Sequence, residues 1–164
     1  MLILSFLSFI LYISYIISVI IVNGNKIPIH LSQSYYILKN GWLFTLFMFL
    51  IMFLTIIPLM EIIPIKYQFL AFLSCASIGF IGASPNFLED LEGRVHKIGA
   101  VIAIICSQVL VYLCHPIILL TWLVLLISLL LYYIYNKSLQ GSNVLFWVEI
   151  LSFINVYLLL FILI

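Results

Sequence analysis

The chain has 164 residues, of which 67% are hydrophobic and 7% charged, and its formal net charge is +1. A soluble domain carries about 25% charged residues, so this composition cannot furnish a water-facing surface and its solvent must be lipid. The near-neutral charge, with no basic tract, excludes nucleic acid as a partner, and the length leaves room for about six spans of ~20 residues and no soluble domain.

Six apolar runs follow in order: 2–22, 42–60, 67–84, 98–114, 117–135 and 144–163. In lipid each backbone N–H and C=O must bond internally, and these runs lack the alternation of barrel strands, so the fold class is all-α: a polytopic membrane protein of six transmembrane helices joined by short loops. The first run has no preceding Lys or Arg, exceeds a signal-peptide core and meets no A-x-A cleavage pattern, which predicts a retained span. Asn23-Gly24-Asn25 ends it. Pro64 separates the second run from the third, Ser84-Pro85 ends the third, and His115-Pro116 breaks what would otherwise be one long helix. Pro58, inside the second run, predicts a kink. Cys75, Cys106 and Cys114 lie within apolar runs, form no C-x-x-C or Cys/His pattern and are odd in number, so they read as small packing residues.

Loops one, three and five share one side and hold Lys26, Lys39, Arg94, Lys97 and Lys137, against Lys66 alone in the even loops. By the positive-inside rule the odd loops are cytoplasmic and both termini lie outside, as in a bacterial inner membrane. Small residues at four-residue steps, Cys75, Gly79 and Ala83 on the third span and Gly99 and Ala103 on the fourth, predict a tight antiparallel pair.

Loop three is a polar island, Ser84 to Lys97, holding three of the five acids. Asn86 with Glu89 three residues on fits a capping box, and the pairs Asp90–Arg94 and Glu92–His96 fit one helix face. Leu88, Leu91, Val95 and Ile98 would line the opposite face of a short amphipathic helix leading into the fourth span, bent near Gly93. The plainer reading is a solvated loop whose charges satisfy one another.

Glu149 stands about 9 Å along the sixth span at 1.5 Å per residue. A carboxylate there is costly unless it is protonated or paired, and Arg94, His96 and Lys97 enter from the same side. Ser152 and Asn155 continue the face of Glu149; His96, Ala103, Ser107 and Gln108 make a comparable stripe on the fourth span. If the stripes meet, they enclose a polar pocket whose ligand-binding residues are Arg94, His96, Glu149, Ser107 and Asn155. In that pocket Arg94 and His96 would contact an anionic headgroup or small ligand and Glu149 would orient them. If they do not, Glu149 is one half of a buried pair that locks two helices. Loop one, with Pro28, His30, Ser32, Gln33, Ser34, Tyr35 and Tyr36, would cover the pocket. Glu61, Lys66 and His115 would cap the opposite side.

No catalytic serine motif, P-loop or G-x-G-x-x-G is present, and no H-E-x-x-H or H-x-x-x-H spacing joins His30, Asp90, His96 and Glu149 into a metal site. No metal and no cofactor are expected. As an enzyme, the chain would act on lipid with His96 as acid/base and Glu149 tuning it. Otherwise it would serve as an oligomeric channel, a membrane-perturbing effector or a helper subunit. The expected partners are membrane lipids, with a protein partner or a homo-oligomer in the last readings.

Three stretches carry a resemblance. They are Pro28, Ser32, Ser34, Tyr35, Tyr36 and Leu38 with Gly41-Trp42-Leu43-Phe44-Thr45-Leu46-Phe47; Phe80-Ile81-Gly82-Ala83, Pro85, Phe87, the acidic run, Val95-His96, Ile98-Gly99-Ala100 and Ser107-Gln108; and Phe146-Trp147-Val148-Glu149. In these the chain resembles a group of small multi-span membrane proteins from anaerobic gut bacteria and their phages, to which no activity is assigned. Members read Gly-Ala-Ala-Pro-Ala-Phe where this chain has Gly82-Ala83-Ser84-Pro85-Asn86-Phe87. A looser likeness exists to six-span families with a polar first loop and a His opening a middle span, some of which modulate lipids; fold analogy of this kind implies no activity.

Overall fold

A computed structural model describes residues 1–164, and every regular element in it is helical. The helices are α1 (Leu2–Val22), the single turn α2 (Ser34–Ile37), α3 (Trp42–Ile62), α4 (Gln68–Ala83), α5 (Asp90–Cys114), α6 (Thr121–Asn136) and α7 (Val144–Leu163). With the 3-10 turns that lead into α4 and α6, six segments are long and apolar enough to cross a membrane, which makes the chain a polytopic membrane protein.

The breaks fall where the sequence puts them. His115 ends α5 in a non-helical conformation, and Pro116 opens the 3-10 turn Pro116–Leu120 that reverses the chain. Pro58 is buried inside α3, which runs on through it to Ile62. Gln68 closes the α3–α4 corner, its Nε2 donating to Met60 O at 2.7 Å and Ile63 O at 3.2 Å.

The polar island differs from its expected form. The helix expected to lead into the fourth span is present, α5 starting at Asp90 and running unbroken for 25 residues, but its cap is not. Glu89 is its N-cap residue and makes no side-chain capping bond. Asn86 is occupied elsewhere, its Oδ1 accepting from Tyr36 Oη at 2.6 Å and its N–H donating to Glu92 Oε2 at 3.1 Å. Gly93 is a point of close approach, because a Cβ there would lie 2.5 Å from Phe87 O. Loop three therefore folds back onto α5, which is unbroken at Gly93. Leu88, Leu91 and Ile98 face outward, a wall for lipid.

The α4–α5 pair packs tightly, as the small residues suggest, but not face to face along them. Ser74 Oγ donates to Ala103 O at 3.2 Å, and a Cβ on Gly99 would stand 3.2 Å from Ser77 O. Gly79 and Gly82 instead face α3, where added Cβ atoms would meet Met52 Sδ at 2.7 Å and Met48 Cβ at 2.8 Å. The cause is helical drift: positions four apart are separated by about 40° around the axis, so one small-residue row serves two neighbours.

The buried core joins α1, α3, α4, α5 and α7 around Tyr12, Phe44, Ile51, Leu110 and Tyr157. Helix α6 buries none of its residues. It is tethered near its start, where Thr121 Oγ1 donates to Asn155 Oδ1 at 2.8 Å and Trp122 Nε1 donates to Gln108 Oε1 at 3.1 Å.

Candidate functional site

Loops one, three and five meet at one end of the bundle, and loop one is built there as a strap. Alternate residues of its extended stretch face the start of α7. Ile27 O accepts from Asn143 Nδ2 at 3.1 Å, Ile29 O accepts from Phe146 N at 3.0 Å, and Leu31 N donates to Glu149 Oε2 at 2.6 Å. Period-two alternation puts these three groups on one side of the strap, where Ile29 O satisfies a first-turn amide of α7 that has no helical partner.

Glu149 is thus answered by a backbone amide and not by a basic side chain. Arg94, expected beside it, is exposed and turns back along its own helix, with Nε donating to Asp90 O at 3.2 Å. Lys97 is also exposed. The charged heads at the mouth of α5 have water within reach, and a long side chain gains more by staying there than by entering the bundle.

His96 is 5% exposed and lies between Phe44 and Phe87, with ring centroids at 6.2 and 5.6 Å. Its Nδ1 is 2.9 Å from Ser84 O and its Nε2 is 2.7 Å from Ser32 Oγ. A carbonyl only accepts, so the proton sits on Nδ1; Nε2 then offers its lone pair and the Ser32 hydroxyl donates to it. The expected Glu92–His96 contact is absent, since both side chains are engaged elsewhere. His96 and Glu149 do not touch: they grip consecutive residues of the strap, Ser32 and Leu31.

Behind the strap lies a cavity offering about 60 Å³ to the centres of water molecules, room for a few of them. Ser32 and Glu149 form part of its polar lining, Thr55 and Tyr157 line it farther along, and Met48, Ile78, Ala103 and Val156 belong to its apolar walls. Tyr157 is eight residues beyond Glu149 on α7, about 12 Å deeper. Ser8 closes the deep side, bonded to Tyr157 Oη at 2.8 Å and Thr55 Oγ1 at 3.0 Å.

The two polar stripes do meet, and they divide the sequence-derived residues. Ser107, Ser152 and Glu149 line the cavity. Asn155 does not: fully buried, it donates through Nδ2 to Gln108 Oε1 at 2.8 Å. Gln108 completes its set through Nε2, to Ser107 Oγ and Ser152 O, both at 3.2 Å. This closed amide network joins α5, α6 and α7, the work of buried polar groups inside a membrane bundle. Ser32 and the Leu31 amide are what sequence reasoning passed over as components of the site. The only signal for Ser32 was its place in a polar first loop, and a backbone N–H carries no sequence signal at all.

Loop one does cover this end. Tyr15 Oη and Ser34 Oγ are 2.8 Å apart, and Phe87 packs edge-on against His30 and Tyr36, each at 4.9 Å. Burial, and secondarily the neighbouring His96, hold the His30 imidazole below its ordinary value of 6.5. Above that value both folded and unfolded chains carry a neutral His30. As pH falls below it, the unfolded chain takes the proton first, so stability drops with falling pH. The unfolding midpoint in detergent should therefore fall more between about pH 7 and about pH 5 in the wild type than in His30→Phe; equal slopes would contradict this burial.

At the other side, Glu61 and Lys66 are exposed, Lys66 Nζ rests 4.7 Å over the Tyr67 ring, and no cap with His115 forms. No three His, Cys, Asp or Glu side chains converge as a metal site would require. No protein-family model, curated protein or solved structure matches the chain, so its reading rests on this geometry.

Proposed function

We propose that this is a small integral protein of the bacterial inner membrane, with the strap end cytoplasmic and both termini outside, that binds a small lipid-like molecule in the cavity behind the strap. The observation that carries the reading is the placement of Glu149. One carboxylate oxygen is used by Leu31 N–H, the other takes no protein hydrogen bond, and the group lines a cavity with apolar walls. The head that suits such a wall is a hydrogen-bond donor, an amine or a hydroxyl, with an apolar tail alongside Met48, Ile78 and Val156. With Arg94 outside the cavity, an anionic head has no cation to meet there.

The test is the unfolding midpoint of the purified protein with a short alkylamine, the matching alcohol and the matching alkyl phosphate. The amine or the alcohol should raise the wild-type midpoint and the phosphate should not. Glu149→Gln keeps an oxygen for Leu31 N–H and replaces the free acceptor oxygen with an NH2 donor, so its response to the amine should shrink. If neither amine nor alcohol moves the wild-type midpoint, or the phosphate moves it most, the reading is wrong.

A further inference from the structure

We infer that Ser32 is a nucleophile activated by His96, and that the cavity is the acyl site of an ester hydrolase embedded in the membrane. The inference rests on the ligand cavity proposed above and adds a covalent step to it.

Most of the buried hydroxyls are bonded to groups that cannot act as a base. Ser74, Ser77, Ser107, Ser142 and Ser152 donate to backbone carbonyls, Ser34 pairs with Tyr15, and Ser8 bonds Thr55 and Tyr157, while Ser5 and Tyr12 meet no polar partner. Those bonds settle polar groups inside the bundle and prepare no chemistry. Ser32 alone among them points its proton at an imidazole nitrogen, at 2.7 Å. The imidazole is itself oriented by a third group, Ser84 O, through Nδ1–H at 2.9 Å. Nucleophile, base and orienter stand in the relation that activates a hydroxyl, with a backbone carbonyl in the orienting role.

The surroundings hold that geometry still. Ser32 sits in the 3-10 turn Leu31–Gln33, fixed on one side by Leu31 N–H to Glu149 and on the other by Gln33 N–H to His30 O at 3.1 Å. Phe44 and Phe87 clamp the imidazole plane. Ser32 lines the cavity, and His96 stands behind it, away from the lining. An acyl group entering from the lipid would therefore meet the hydroxyl before the base. Glu149 is a positioning residue here, acting through the Leu31 amide.

The substrate class is an ester whose acyl group is small and apolar. Ser32 Oγ bonds to the carbonyl carbon as its proton passes to His96 Nε2. The bond from that carbon to the alcohol oxygen then breaks, and the Nε2 proton goes to the departing alkoxide. Water, the second substrate, adds to the acyl-serine by the same proton route and releases the acid, leaving Ser32 and His96 as they began. The sum is ester plus water to acid plus alcohol, with no change of oxidation state.

The test uses the full-length protein in detergent or vesicles with a fluorophosphonate, which forms an Oγ–phosphorus bond and expels fluoride. Intact mass should show one adduct, and peptide mapping should place it on Ser32. Ser32→Ala removes a hydroxyl bonded to one partner, so it folds and should take no adduct. His96→Asn keeps a donor for Ser84 O but has no base at Nε2, and labelling should slow by about 100-fold or more. Hydrolysis of p-nitrophenyl butyrate should fall to the uncatalysed rate in Ser32→Ala. Should His96→Asn not fold, the two Ser32→Ala readouts decide alone. A folded wild type that takes no adduct, or an adduct that survives Ser32→Ala, overturns the inference. Absent labelling with an intact amine-dependent shift in unfolding midpoint defeats the nucleophile alone; labelling without that shift defeats the Glu149 binding reading alone.

Discussion

Replacing His96 with alanine should lower the unfolding free energy by about 3 kcal/mol or more, among the largest single effects available to this fold. The ring is 5% exposed and its truncation empties the space between Phe44 and Phe87. Two hydrogen bonds go with it, leaving Ser84 O and the Ser32 hydroxyl buried without a partner. In a membrane bundle an interhelical side-chain bond is worth only about 0.6–2 kcal/mol, so the packing loss is the larger share. The effect should also be cooperative across loops, because His96 joins α5 to loop three through Ser84 and to loop one through Ser32. Denaturant unfolding in mixed micelles provides the measurement. A His96→Asn protein that recovers part of the loss would locate the recovered part in the bond to Ser84 O. A His96→Ala protein within about 0.5 kcal/mol of wild type would show that the imidazole is not buried as described.

Much of the fold was legible because lipid is a strict solvent. Each apolar run had to be a helix, and each break coincided with Pro, Gly or Asn: Asn23-Gly24-Asn25, Pro64, Ser84-Pro85 and His115-Pro116. Of the candidate-site residues, Glu149 was legible for the same reason, since a polar group in such a run must be accounted for, and His96 because it lies in the polar island that enters the fourth span. What could not be read was the choice of partner. Arg94 carries the charge that Glu149 lacks, so charge pairing pointed to it, yet water at the membrane surface competes for a guanidinium and wins. The group that does answer Glu149 is a main-chain amide of Leu31, a residue whose side chain suggests nothing polar. Likewise Asn86 and Glu89 match a capping box by spacing. Tyr36, fifty residues away from Asn86, takes the asparagine, and local pattern cannot anticipate that.

Glu149→Ala should cost about 1–3 kcal/mol, the penalty for a buried donor left without an acceptor, because Leu31 is 2% exposed and its amide has nowhere else to turn. The loss should be local before it is global. Three hydrogen bonds hold the strap to α7, from Ile27, Ile29 and Leu31, and the third is the deepest and the only one to a carboxylate. It is also the shortest of the three, so its removal should free the strap while the amide network of Gln108 and Asn155 holds the α5–α7 contact. Hydrogen exchange should show this as faster exchange at Leu31, Ser32 and Gln33 with little change in α7 beyond Ser152, and trypsin should cut more readily after Lys26. Glu149→Gln, which still presents an oxygen, should restore most of the protection. Arg94→Ala, removing an exposed side chain that bonds only its own helix, should leave exchange in the strap at the wild-type rate. If Glu149→Ala leaves exchange in the strap unchanged, the Leu31–Glu149 bond does not hold loop one; if Arg94→Ala loosens the strap as much as Glu149→Ala does, the guanidinium reaches the carboxylate and loop one is held by charge.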